Sequence, residues 1–130
     1  MPLTGRPLEG PVHLPHLLRV GLTRVPDAMA LVSSTTRRTW QDLDKMSDNL
    51  AGNLLDLGLS PGDRVASLMP NRAALIIHYI ACMKSGLVGV PLNYRYTIAE
   101  IDRALAVSGA SILLAHAERL RNSSAPPEYA

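Results

Sequence analysis

Between residues 64 and 115, apolar stretches too short for helices alternate with longer stretches of helical periodicity, and turn or capping residues separate them. Residues 64–69, 87–92 and 111–115 read as strands, and 72–84 and the stretch opened by Thr97 read as helices. Strand, helix, strand, helix, strand with short loops predicts a parallel sheet with right-handed crossovers. The three strands are apolar on nearly every residue, as strands covered on both faces are. The expected class is therefore α/β, built mainly from parallel strand–helix–strand units.

The punctuation is specific. Ser60-Pro61-Gly62-Asp63 is turn chemistry before the first parallel strand. Pro70 ends that strand, and Asn71 is placed to cap the next helix. That helix is apolar on nearly every side, so it is expected to be covered on several faces. Thr97 and Glu100 form a capping box, with Ile98, Ile101 and Leu105 expected inward and Gly109 as the stop.

Upstream, Leu14, Leu17, Leu18 and Leu22 recur at helical spacing before Pro26. Residues 30–33 and 37–39 read as a short hairpin around a turn at 34–36. Thr39 and Asp42 make a first capping box. A helix follows with a stripe of Leu43, Met46, Leu50, Leu54 and Leu57, a wet side of Asp44, Lys45 and Asp48, and Gly58 as its end. The expected organisation is a flexible arm at 1–11, one partial α/β domain at 12–120 and a mobile tail at 121–130.

Several function classes are disfavoured. The net charge is +2 and no basic block occurs, so nucleic acid is not the expected partner. The apolar run from Ala73 to Met83 is broken by His78 and is too short for a bilayer, so no membrane span is expected. A single cysteine, Cys82, and no apolar leader at the N-terminus fit a cytoplasmic protein.

Candidate sites are few. Ser33-Ser34-Thr35-Thr36-Arg37-Arg38 offers hydroxyls beside bases, but a phosphate cradle needs glycines and a helix start behind it, so a plain turn is expected. Gly86 and Gly89 begin a strand rather than joining a strand to a helix, so they read as turn and packing residues. His13 with His16, and His78 with Cys82, lack a third ligand, so no metal site is expected. Asp42, Asp44, Asp48 and Asp56 follow a solvated helix face. No catalytic nucleophile or base is assigned. Arg95 is singled out because it follows a strand and precedes a helix, where parallel sheets bind ligands and a guanidinium suits phosphate. The competing reading is a surface arginine paired with Glu100 or Asp102.

A set of short matches then points to a family. Thr39-Trp40, Gly58-Leu59, Gly62-Asp63-Arg64-Val65, Pro70-Asn71, Lys84-Ser85-Gly86, Val90-Pro91-Leu92-Asn93, Arg95, Thr97, Glu100-Ile101 and Ser108-Gly109-Ala110 occur in one order and spacing. Together they resemble the N-terminal part of the adenylate-forming (AMP-binding) ligases, which include acyl-CoA synthetases. The resemblance implies part of the large N-terminal domain of that fold. It also implies a parent enzyme that activates a carboxylic acid with ATP and Mg2+ through an acyl-adenylate, then forms a thioester with coenzyme A. In some members the Arg of the Asn-x-Arg segment lies near the phosphates of coenzyme A, and Arg95 matches that position. Tyr94 stands where a Pro is often found. The family's Pro-Lys-Gly phosphate loop and Tyr-Gly-x-Thr-Glu segment are not in this sequence. The chain alone is thus expected to be inactive, to bind none of these cofactors tightly and to self-associate. The alternative is an autonomous, non-catalytic α/β module that binds a partner or a nucleotide.

Overall fold

The computed structural model describes residues 14–117; the expected arm and tail lie outside the described residues. Two compact units divide between Asp44 and Lys45, inside a helix.

The first unit holds helix α1 (Leu14–Arg24) and an antiparallel hairpin of strands β1 (Met29–Val32) and β2 (Arg37–Thr39). The hairpin closes because Ser33 donates its N–H to Thr36 O at 2.8 Å, while its Oγ accepts from Thr36 N at 3.0 Å. The hydroxyl run is a turn, as expected, with its first oxygen spent on the backbone. On α1, Leu18 is buried and Gly21 packs against the ring of Trp40.

Helix α2 (Trp40–Asp56) starts at the first predicted capping box. Thr39 N–H donates to Asp42 Oδ2 at 2.9 Å, and Asp42 N–H donates to Thr39 Oγ1 at 3.0 Å. The buried line on this helix is Leu43, Ser47, Ala51 and Leu54, which keeps only Leu43 and Leu54 of the predicted stripe. Met46 and Leu57 are exposed, and Leu50 is half-buried. Small Ser47 and Ala51 let the helix pack closely, so the inward face is set by size as much as by hydropathy.

In the second unit, strands β3 (Arg64–Leu68), β4 (Val88–Pro91) and β5 (Ile112–Ala115) form a parallel sheet in the order β4-β3-β5. Val65 pairs with Gly89 on one side and Ile112 on the other. Helix α3 (Ala73–Ser85) connects β3 to β4, and α4 (Ile98–Ser108) connects β4 to β5. The two helices cover opposite faces. Cys82 of α3 joins Leu54, Val65 and Leu87 in one cluster, whereas Ile101 of α4 joins Ala66, Leu68 and Leu92 in another. Alternation along β3 therefore sends Val65 to α3 and Ala66 to α4, as a strand buried on both faces requires.

Three expectations change here. Asn71 does not cap α3. The N-cap is Arg72, in extended backbone at φ −123° and ψ 164°, with no side-chain cap bond. One more extended residue is used after Pro70 before the chain turns. Ile98 is exposed, leaving Ile101 and Leu105 to meet the sheet, because the first helical residue lies on the outer side of the turn. Helix α3 buries Ile77, His78, Ala81 and Cys82 but leaves Ile76 and Met83 exposed. Gly86 then ends α3 at φ 72°, a conformation that costs glycine little and other residues about 1–2 kcal/mol.

Candidate functional site

The strand order creates a crevice. β3 passes the chain to α3 on one face, and its neighbour β4 passes it to α4 on the other. The segments leaving the two strands part at their carboxyl ends, which is where open parallel sheets take ligands. A cleft of about 400 Å3 lies there. Its walls are Met69, Pro70 and Asn71 after β3, Leu75 and Tyr79 of α3, and the run from Pro91, the last residue of β4, to Arg95.

The β4 side of this cleft is fixed by short-range bonds. Leu92 N–H donates to Ser67 O at 2.8 Å, continuing the sheet beyond β4. Asn93 Oδ1 accepts from Arg95 N–H at 3.0 Å, and Tyr96 N–H donates to Asn93 O at 3.0 Å, an Asx-type turn. Immediately after it, Thr97 and Glu100 form the predicted capping box. Thr97 N–H donates to Glu100 Oε2 at 2.7 Å, and Thr97 Oγ1 accepts from Glu100 N–H at 3.3 Å. The backbone and hydroxyl bonds from Thr97 hold the Glu100 carboxyl below its usual range.

These bonds bear on the surface-pair reading of Arg95. The Glu100 carboxylate is occupied by Thr97. Arg95 is exposed, and it makes no ion pair among the described residues, with Glu100, with Asp102 or with any other. Its guanidinium lies on a cleft that also receives the first turns of α3, through Leu75 and Tyr79. An arginine fork is complementary to a phosphate oxygen.

The other sequence candidates are not brought to the cleft. His78 and Cys82 are buried together on α3, with Nδ1 and Sγ 4.0 Å apart. No group of three or more metal-ligating side chains occurs among the described residues. His13 and the side chain of His16 lie outside the described residues. Asp48 pairs with Lys84 at 2.7 Å. Gly86 and Gly89 are a helix cap and a strand residue. Sequence reasoning missed Asn71, Tyr79 and Asn93 as cleft residues. The first and last follow parallel strands directly, a signal the strand-end rule contains. Tyr79 has no local signal, because only the seating of α3 brings it there.

No helix among the described residues is long and apolar enough to cross a membrane. The profile of the family described as AMP-binding enzyme matches residues 18–128. A feruloyl-CoA synthase of Amycolatopsis is 44% identical over 89 residues, which cover 68% of this chain and 18% of that protein. A long-chain-fatty-acid–CoA ligase of Mycobacterium tuberculosis is 33% identical over 100 residues, covering 75% of this chain and 20% of the ligase. Among solved structures, a benzoate CoA ligase from Burkholderia xenovorans superposes with a TM-score of 0.77 at 26% identity, over 84% of this chain and 22% of that one. The N-terminal subdomain of NpsA from Klebsiella oxytoca, solved with 3-hydroxyanthranilyl-AMSN, gives 0.72 at 30% identity, over 79% and 26%. The chain spans about a fifth of the length of these curated relatives. With the doubly covered parallel sheet and a profile match over residues 18–128, the chain belongs to the AMP-binding enzyme family.

Proposed function

We propose that this chain is the N-terminal segment of a cytoplasmic, ATP-dependent acyl- or aryl-CoA ligase, and that its cleft holds a phosphate of coenzyme A through Arg95. One observation carries the second part: Arg95 has no ion-pair partner among the described residues, yet it sits on a crevice at the carboxyl ends of β3 and β4. Its charge and its exposure fit a phosphate. On this reading, activation of the acid with ATP draws on parts of the parent beyond these residues. The chain alone is inactive on this reading.

The test uses the complete gene product. Its mass, detected through an N-terminal tag, exceeds 14.0 kDa severalfold. It exchanges pyrophosphate into ATP only when a carboxylic acid is present. Arg95→Ala raises KM for coenzyme A about five- to tenfold, the order expected for one exposed ionic contact of about 1 kcal/mol. Pyrophosphate exchange is unchanged in the variant. A product of 14.0 kDa would instead favour an autonomous binding module. An unchanged KM for coenzyme A would remove Arg95 from the site.

Self-association of the isolated chain is part of the same reading. Ile76 and Met83 are exposed on α3, and Val107 is 82% exposed on α4. Sedimentation is expected to give a mass above 14.0 kDa that rises with concentration. A constant monomer mass at high concentration counts against it.

A further inference from the structure

Helix α3 is seated on the sheet through an imidazole that has no partner at one nitrogen. His78 is 0% exposed, and its Nε2 makes no hydrogen bond among the described residues. Nδ1 lies 4.0 Å from Cys82 Sγ, one turn along the same helix. A Cβ placed on Gly89 would stand 3.5 Å from Nε2 and 3.8 Å from Cys82 Sγ, so the ring edge rests against the bare backbone of β4. Ser67 shares the α3 side of β3 with Val65 by strand alternation, and its buried Oγ also lacks a partner.

Among the described residues, no carboxylate is bonded to the ring. On α3 the near groups are Cys82 and the Tyr79 ring, whose centroid is 5.7 Å away. β4 presents Gly89, and β3 presents Val65 and Ser67. From α2, Asp48 is engaged by Lys84 at the far end of α3. Burial pushes the Cys82 thiol up, away from the thiolate. A neutral His78 leaves one nitrogen unpaired, whereas a charged one adds the cost of an unpaired buried ion, which is several times larger.

We infer that His78 is an acid-sensitive latch: protonation of its imidazole ejects the ring from between α3 and the sheet and frees the helix whose first turns wall the cleft. The direction follows from burial, which lowers the folded-state pKa of His78 below the ordinary 6.5. The unfolded chain takes up the proton first as pH falls. The stability His78 confers is therefore present above 6.5 and is lost progressively below it. The effect on phosphate retention rests on the reading of the cleft proposed above; the release of α3 does not.

Amide hydrogen exchange of the full chain at pH 7.5, 6.5 and 5.5, corrected for intrinsic rates, reads the release. The opening population of α3 is expected to rise by up to about tenfold per pH unit below 6.5, with α4 as the internal reference. In His78→Gln, which keeps a polar group but no titration, the α3 profile is flat. Acid-independent opening in the native chain, or the same acid response in the variant, overturns the latch. Should the variant fail to fold, the imidazole resonances of His78 in the native chain decide. A ring that titrates near pH 6.5 while α3 stays protected overturns the proposal, and one that stays neutral until α3 opens supports it. Millimolar coenzyme A at pH 7.5 is the separate arm: no added protection of residues 91–95 overturns the cleft reading alone.

Discussion

Leu54→Ala lowers the unfolding free energy of the second unit by about 2–5 kcal/mol in urea denaturation followed by circular dichroism. Leu54 is 1% exposed and packs with Val65, Cys82 and Leu87, one residue from each of three successive segments. Truncation removes the apolar contact and leaves a cavity among side chains that strands β3 and β4 hold in place. Those strands are bonded along their length, so the space collapses only in part. Leu57, three residues on and 68% exposed, is the control. Leu57→Ala changes stability by less than about 0.5 kcal/mol. Equal effects at the two positions would mean that α2 is not held by this face.

Gly21→Ala disrupts the first unit. A Cβ at Gly21 would stand 2.7 Å from Cε3 of Trp40 and nearer still to Cδ2 and Cε2. These are fused-ring atoms with no free end to swing aside, so α1 and the ring must separate. Overpacking of this kind costs about 1–3 kcal/mol. Trp40 is the chain's one tryptophan, so its emission reports the change directly, with a red shift as the ring gains water. Gly52 supplies the contrast, because nothing lies within 4 Å of a Cβ built there. Gly52→Ala, inside α2, gains about 0.5–1 kcal/mol from helix propensity. An unshifted emission in Gly21→Ala would remove the α1–Trp40 contact from the account.

Local chemistry was legible in the residues, and tertiary placement was not. Both capping boxes, Thr39 with Asp42 and Thr97 with Glu100, form as their spacing predicts. The Ser33 turn closes the hairpin, and Gly86 and Gly109 stop helices in left-handed backbone. Each of these is settled within four residues of sequence. The phase of α2 was not, because Ser47 and Ala51 are buried for their small size and hydropathy alone ranks Met46 and Leu57 above them. The order β4-β3-β5 was not legible either, since periodicity says nothing of which edge a strand joins. The place of Arg95 on the cleft follows from its position between a strand and a helix. Tyr79, its companion across the cleft, entered only with the docking of α3.

The middle strand of the sheet has a consequence for biosynthesis. β3 precedes both of its neighbours in the chain, so it leaves the ribosome with two open edges. β4 closes one of them after α3 has been made, and β5 closes the other only after α4. Until Ile112 emerges, a growing chain displays the bare side of Val65, Ala66 and Ser67, three residues without a charge among them. On a polysome, where copies of the same sequence are held side by side, that is the interval in which a neighbouring nascent chain can take the place meant for β5. A pause in translation before Ser111 prolongs that exposure; a pause after Ala115 comes too late to matter.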